Sequence, residues 1–212
     1  MIEMCELVPE IKALYEKGRK SHDWDHIQRV YHLCMTLAKD EKVNLLILQL
    51  AALLHDAARQ DEDRMSGGIC HAEAGAFKAQ AFLESHGFEE ETISGVVHCI
   101  ETHRFKNHHE PQTIEAKILY DADKLDAIGA IGLGRAFVYA GEIGARVHDK
   151  EVNVTQTHPY TSEDTAYREY LVKLQHIHRR MLTVKGKQIA QDRHRFMEQF
   201  FDRLNQEVAG DA

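Results

Sequence analysis

Residues 43–58 read VNLLILQLAALLHDAA, a run that is apolar nearly all the way round. It lacks the alternation of a half-buried strand, and at about 14 residues it is long for a buried one. A helix that is apolar on every side has to be surrounded by other elements. The run therefore predicts a helix in the centre of the fold, with the rest of the chain arranged to cover it. His55 and Asp56 close this run. There an imidazole nitrogen and a carboxylate oxygen from adjacent positions could grip one cation. Such mixed N/O ligation suits divalent Mn, Fe, Co, Ni, Zn or Mg.

The covering elements also read as helices. Only three prolines occur, Pro9, Pro111 and Pro159, so little interrupts helix formation. Residues 3–18 place Leu7, Ile11, Leu14 and Tyr15 at helical spacing, and residues 22–39 do the same with Ile27, Val30, Tyr31, Cys34, Leu37 and Ala38. Residues 59–68, polar and ending in Gly67-Gly68, predict a loop. Helices are expected over 71–86 and from Glu89 to about His103, the latter with Ile93, Val96, Val97 and Ile100 inward. Thr113 can cap a long helix reaching Ala140, in which Gly129, Gly132 and Gly134 would admit a neighbouring helix. Residues 141–161 are polar and irregular, as in a functional lid or a disordered segment. Ser162 then opens a helix to about Thr183. Gly186 starts the last one, with Ile189, Phe196, Met197, Phe200, Phe201 and Leu204 on one face.

Composition narrows the function classes. A formal net charge of -8 argues against a nucleic-acid footprint, which needs a basic patch. No uncharged apolar run reaches the ~20 residues of a membrane helix, and the acidic N-terminal stretch lacks the apolar core of a secretory signal. Cys5, Cys34, Cys70 and Cys99 form no CxxC pair and read as reduced thiols, which places the chain in the cytoplasm and disfavours a cysteine zinc site. The 15 histidines are scattered through the chain rather than gathered at one end.

A metal hydrolase needs a few fixed ligands and open coordination positions for water and a substrate oxygen. His26, the pair His55-Asp56, and either Asp121 or Asp123 offer four ligands on separate helices. Asp121 lies on the apolar stripe of Ile114, Ile118, Leu125 and Ile128, and Asp123 almost opposite. Residues two apart on a helix do not share a face, so one of the two would bind and the other could hold a ligand histidine's free N–H.

The stretches HDWDHIQRV (22–30), LLHDAA (53–58) and DADKLDAIGA (121–130), followed by KLQHIHRRMLTVKGKQIAQDRHRFMEQF, resemble the HD-domain phosphohydrolase superfamily, in particular its small stand-alone bacterial members. The resemblance spans nearly the whole chain. It implies one compact all-α domain of about eight helices over 1–212, with core motifs in 22–130 and C-terminal helices over 162–208 packing on it. It implies a divalent metal on His26, His55, Asp56 and Asp123, with His22 and Asp121 beside them. It implies hydrolysis of phosphate esters or anhydrides, often in nucleotides. Some relatives bind a second metal with extra histidines, for which His71, His98 and His103 are candidates. Lys124, Arg104 and Arg59 are candidate phosphate contacts, a lysine as a point charge and an arginine as a fork.

The expected partner is a small phosphorylated molecule, and a homodimer is compatible with the sequence. A (p)ppGpp hydrolase or cyclic-dinucleotide phosphodiesterase is an alternative. Relatives of the first kind usually carry Asn where Ala127 stands, and the Gly-Tyr-Pro motif of the second is absent. A metal- or nucleotide-sensing module without turnover is the non-enzymatic alternative.

Overall fold

A computed structural model describes residues 4–15, 24–64, 70–104 and 110–211, and these form helices and connecting turns with no strand among them. The chain divides into two units, Met1–Asp123 and Lys124–Ala212.

In the first unit, α1 (Met4–Ala13) buries Leu7 and Ile11. The helix α2 (Trp24–Leu37) buries His26, Ile27, Val30, Cys34 and Leu37, a single stripe at spacings of three and four. The apolar run becomes α3 (Leu45–Leu54), followed by α4 (Arg59–Arg64), α5 (His71–Ser85), α6 (Glu90–Thr102) and α7 (Ile114–Asp126). The central helix α3 packs against α1, α2 and α6, and α5 against α6 and α4. Leu48, Leu50, Ala51, Ala52, Leu53 and Leu54 are buried, each leucine contributing roughly 1.5–3 kcal/mol of apolar transfer. Asn44 caps α3 by accepting from the amides of Leu46 (3.1 Å) and Ile47 (3.3 Å). Its own amide donates to Glu115 at the start of α7 over 2.6 Å.

Three sequence expectations need correction here. Leu45 and Leu46 are 53 % and 40 % exposed, so the apolar run is buried only from its second turn onward. Leu14 is exposed beside the buried Tyr15. The polar stretch after Ala58 begins as α4 rather than loop. The amides of Arg59 and Asp61 donate to Asp56 and Ala58, so winding continues beyond α3, and Asp61 pairs with Lys78 of α5 at 2.5 Å. Gly67 and Gly68 lie outside the described residues, as do Gly18 and Ser21.

In the second unit, the expected long helix breaks at Ala127-Ile128, and α8 (Gly129–Glu142) starts anew. The glycines explain the break. Gly129 sits at φ +76°, and a Cβ on Gly132 would lie 2.2 Å from the carbonyl oxygen of Ala127. Arg135 pairs with Asp126 at 2.7 Å, and Arg193 donates to the Leu125 carbonyl at 2.5 Å, securing the corner. Close approach of a neighbouring helix applies to Gly129, where a Cβ would meet the Arg193 stem at 2.9 Å, and not to Gly134.

Residues 145–165 are irregular. The next helix starts at Ala166, later than expected, because Thr165 and not Ser162 caps it, accepting from the Arg168 amide. This helix, α9 (Ala166–Glu169), runs through a π-helical segment (Tyr170–Leu174) into α10 (Gln175–Ile177). The last helix, α11 (Val184–Ala209), packs on α8 and α10. Thr183 caps it by accepting from Gly186 over 2.9 Å, which starts it two residues before the glycine. Its buried stripe is Gly186, Ala190, His194, Met197 and Phe201, whereas Phe196 is exposed.

Candidate metal centre

His55 and Asp56 follow α3 directly, where the Ala57 and Arg59 amides donate back to Leu54 (3.0 Å) and Asp56 (2.9 Å). That winding holds both side chains on the end of a buried rod. His55 Nδ1 donates to the Ala52 carbonyl at 2.9 Å. This fixes the tautomer and leaves Nε2 as a lone pair facing away from the helix. From α2, His26 brings its Nε2 to 3.4 Å from His55 Nε2 and 3.6 Å from Asp56 Oδ2. From α7, Asp123 brings Oδ1 to 3.7 Å from His26 Nε2. One ligand atom each from His26, His55 and Asp123 lies within 4.8 Å of the others.

A second group adjoins the first. His71 opens α5 and His103 follows α6; their Nε2 atoms are 3.3 Å apart. They lie 3.1 and 3.9 Å from Asp56 Oδ1. His103 Nδ1 donates to the Ile100 carbonyl at 2.6 Å. Asp56, His71 and His103 form a second set of ligand atoms within 4.8 Å of one another. Asp56 thus turns one oxygen to each group. Arg59 and Arg104 each bring an Nη1 to 3.2 Å from His71 Nδ1.

The site is buried and electron-rich. His26, His55, His71 and His103 are buried, as is Asp56, with Asp123 at 19 % side-chain exposure. Burial is the main cause that lowers the His55 pKa. Burial, then the neighbouring His55, pushes His103 down to about 3. Inward-facing ring nitrogens, with the Nε2 lone pairs of His55 and His103 already free of a proton, and the carboxylates of Asp56 and Asp123 form a donor set that fits a hard-to-borderline divalent cation.

A pH dependence follows for the metal-free protein. An unfolded histidine titrates near ~6.5, whereas folded His103 stays neutral down to about 3. Between these values the unfolded chain binds the extra proton, so stability is full above ~6.5 and is lost as pH falls toward the folded value. Urea unfolding of metal-free protein from pH 8 to 4 should show the midpoint dropping below pH ~6.5. His103→Gln should flatten that drop. An unchanged slope in the variant would refute the assignment to His103.

The remaining candidates are placed as follows. His22 lies outside the described residues. Asp121 is fully buried on α7 but belongs to neither ligand group. His98 accepts from the Gln112 amide at 3.1 Å and is in neither group. Lys124, the next residue after Asp123, falls in the second unit. Sequence reading missed Tyr15, whose hydroxyl donates to the Leu53 carbonyl at 2.8 Å. It satisfies a carbonyl that the helix end leaves without an intrahelical partner and so braces the turn bearing His55 and Asp56. No local pattern in α1 marks that role.

The HD domain family profile matches residues 23–128. The uncharacterized protein YpgQ of Bacillus subtilis (strain 168) is 31 % identical over 207 residues, covering 94 % of this chain and 91 % of YpgQ. A crystal structure of an HD-superfamily hydrolase from Bacillus thuringiensis is similar at a TM-score of 0.75 and 32 % identity, over 96 % of this chain and 95 % of that one. The structure of B. subtilis YpgQ in complex with ADP is similar at a TM-score of 0.73 and 28 % identity, over 98 % and 96 % of the two chains. No helix among the described residues is long and apolar enough to cross a membrane.

Proposed function

This chain belongs to the HD domain family, and on that premise we propose that it is a metal-dependent phosphohydrolase cleaving a phosphate ester or anhydride in a nucleotide or another small phosphorylated molecule. The observation that carries this reading is the convergence of His26, His55, Asp56 and Asp123 from three parts of the first unit. These four residues would hold a divalent cation. When bound, such an ion would lower the pKa of a water and draw charge from a phosphoryl oxygen. The protein's own part is to keep the ligand atoms close in a dry setting, where electrostatic interactions are stronger than in water. Arg59 and Arg104 beside His71 are the proposed phosphate contacts, and Lys124 is a further candidate. The ADP held by YpgQ supports a nucleotide as substrate class. Similarity over 94 % of the chain supports treating 1–212 as one functional domain.

The test is metal removal followed by restoration with Mn, Mg, Co, Ni or Zn, and assay against nucleoside mono-, di- and triphosphates. Pyrophosphate release from triphosphates would define a pyrophosphohydrolase, and phosphate release from monophosphates a nucleotidase. Absence of turnover with every metal and substrate would overturn the catalytic reading in favour of a sensor.

A further inference from the structure

His71 differs from His55 and His103 in how its ring is held. Those two donate Nδ1–H to carbonyls, which leaves Nε2 as the lone pair. His71 Nδ1 instead lies 3.2 Å from a guanidinium nitrogen of Arg59 and 3.2 Å from one of Arg104. A guanidinium has only N–H groups to offer. His71 Nδ1 must therefore accept, and the ring hydrogen sits on Nε2. That nitrogen is 3.3 Å from His103 Nε2 and 3.1 Å from Asp56 Oδ1, so its hydrogen points at the other two members of the group. In this state His71 has no Nε2 lone pair for a cation, and its ring hydrogen lies among the ligand atoms of the group. Opening the group requires the hydrogen on Nδ1, where it would point at two guanidinium N–H groups. Two positive charges at the same place oppose a cation further.

We propose that Arg59 and Arg104 form a latch that keeps the group Asp56, His71 and His103 closed to a cation until a phosphate oxyanion draws them away from His71. This rests on the reading of the centre as a metal site. Guanidinium hydrogen bonds to a charged oxyanion are roughly twice as strong as neutral ones and can be bidentate. A phosphate therefore outcompetes the single Nδ1 acceptor of His71 for both arginines. Released, His71 moves its hydrogen from Nε2 to Nδ1 and presents a lone pair beside His103. The group His26, His55 and Asp123 does not depend on this step, since His55 Nε2 already carries its lone pair. The second cation then enters only with the phosphorylated ligand.

The test is Mn²⁺ stoichiometry of the full chain by equilibrium dialysis at fixed free Mn²⁺, with and without inorganic phosphate. Electron paramagnetic resonance would report spin coupling between paired ions. Wild type is expected to bind one Mn²⁺ alone and two with phosphate. The double variant Arg59→Gln/Arg104→Gln is expected to bind two without phosphate. Arg104→Gln alone, which keeps one guanidinium on His71, should tighten the second site about tenfold in the absence of phosphate, the worth of one charge-assisted hydrogen bond. Two ions in wild type without phosphate, one ion under both conditions, or unchanged second-site affinity in these variants would overturn the latch. A wild type that binds no Mn²⁺ at all would overturn the metal-centre reading itself, and the latch with it.

Discussion

Asp56→Ala is expected to abolish metal binding and turnover together while leaving the helical content intact. Among the described residues, the Asp56 carboxylate faces both candidate ligand sets, with Oδ2 at 3.6 and 3.8 Å from His26 and His55 and Oδ1 at 3.1 and 3.9 Å from His71 and His103. Loss of an outer partner of a metal ligand typically costs ~10–100-fold in metal affinity. Removing a carboxylate that ligates should exceed ~100-fold on that scale. The fold should survive because Asp56 follows α3 rather than building it. The turn there rests on the backbone bonds from Ala57 and Arg59 and on Tyr15. The measurements are Mn²⁺ content by dialysis, circular dichroism and the substrate panel. His55→Ala should behave in the same way. Unchanged metal content in both variants would sink the site assignment.

What the sequence made legible was whatever one element's own pattern encodes. The all-helical class follows from 3.6-residue periodicity in nearly every segment, and α2 carries its buried stripe as the spacing predicts. The burial of α3 was legible for Leu48 to Leu54 but not for Leu45 and Leu46. Whether the first turn of an apolar run is covered depends on where its cap sits, and Asn44 sits at the surface beside Glu115. The break between α7 and α8 was not legible as a break, because periodicity continues through it. It is set by a carbonyl, that of Ala127, approaching Gly132 too closely for any Cβ.

The candidate site divides along the same line. Adjacent residues such as His55 and Asp56 announce themselves, and Asp123 was named through a motif rather than through its face. The apolar stripe drew attention to Asp121, which is fully buried, yet the carboxylate beside His26 is Asp123 at 19 % exposure. Ligand atoms gather where a helix face meets the ends of other elements, and hydrophobic periodicity reports only the core side of a helix. The sharing of Asp56 between two groups, and the convergence of Arg59 and Arg104 on His71, depend on residues up to 47 positions apart, from Asp56 to His103. No spacing rule within one helix reaches that far.

Asp164→Ala is expected to destabilise the second unit by ~3–5 kcal/mol, the usual cost of removing one partner of a buried ion pair. Asp164 and Arg168 are both 4 % exposed and meet at 2.8 Å. The guanidinium also donates to the Thr157 hydroxyl at 2.7 Å and the Thr157 carbonyl at 2.9 Å, while Asp164 Oδ2 accepts from the Tyr160 amide at 2.9 Å. Tyr160 has φ 65°, a left-handed conformation that costs a bulky residue energy and needs such anchoring. Together these bonds tie residues 157–164 to the first turn of α9. Removal of Asp164 leaves a guanidinium buried without its counter-charge and frees the Tyr160 amide. Replacing both partners, as Asp164→Leu/Arg168→Met, should cost less than Asp164→Ala, because no orphaned charge stays behind. Urea unfolding of the single and double variants gives the coupling energy, and hydrogen exchange at the amides of Tyr160 and Arg168 reports where the structure opens. A loss below ~1 kcal/mol for Asp164→Ala, the range of a solvent-screened surface pair, would show that the pair does not anchor this segment. Faster exchange confined to residues 157–168 would show that it does.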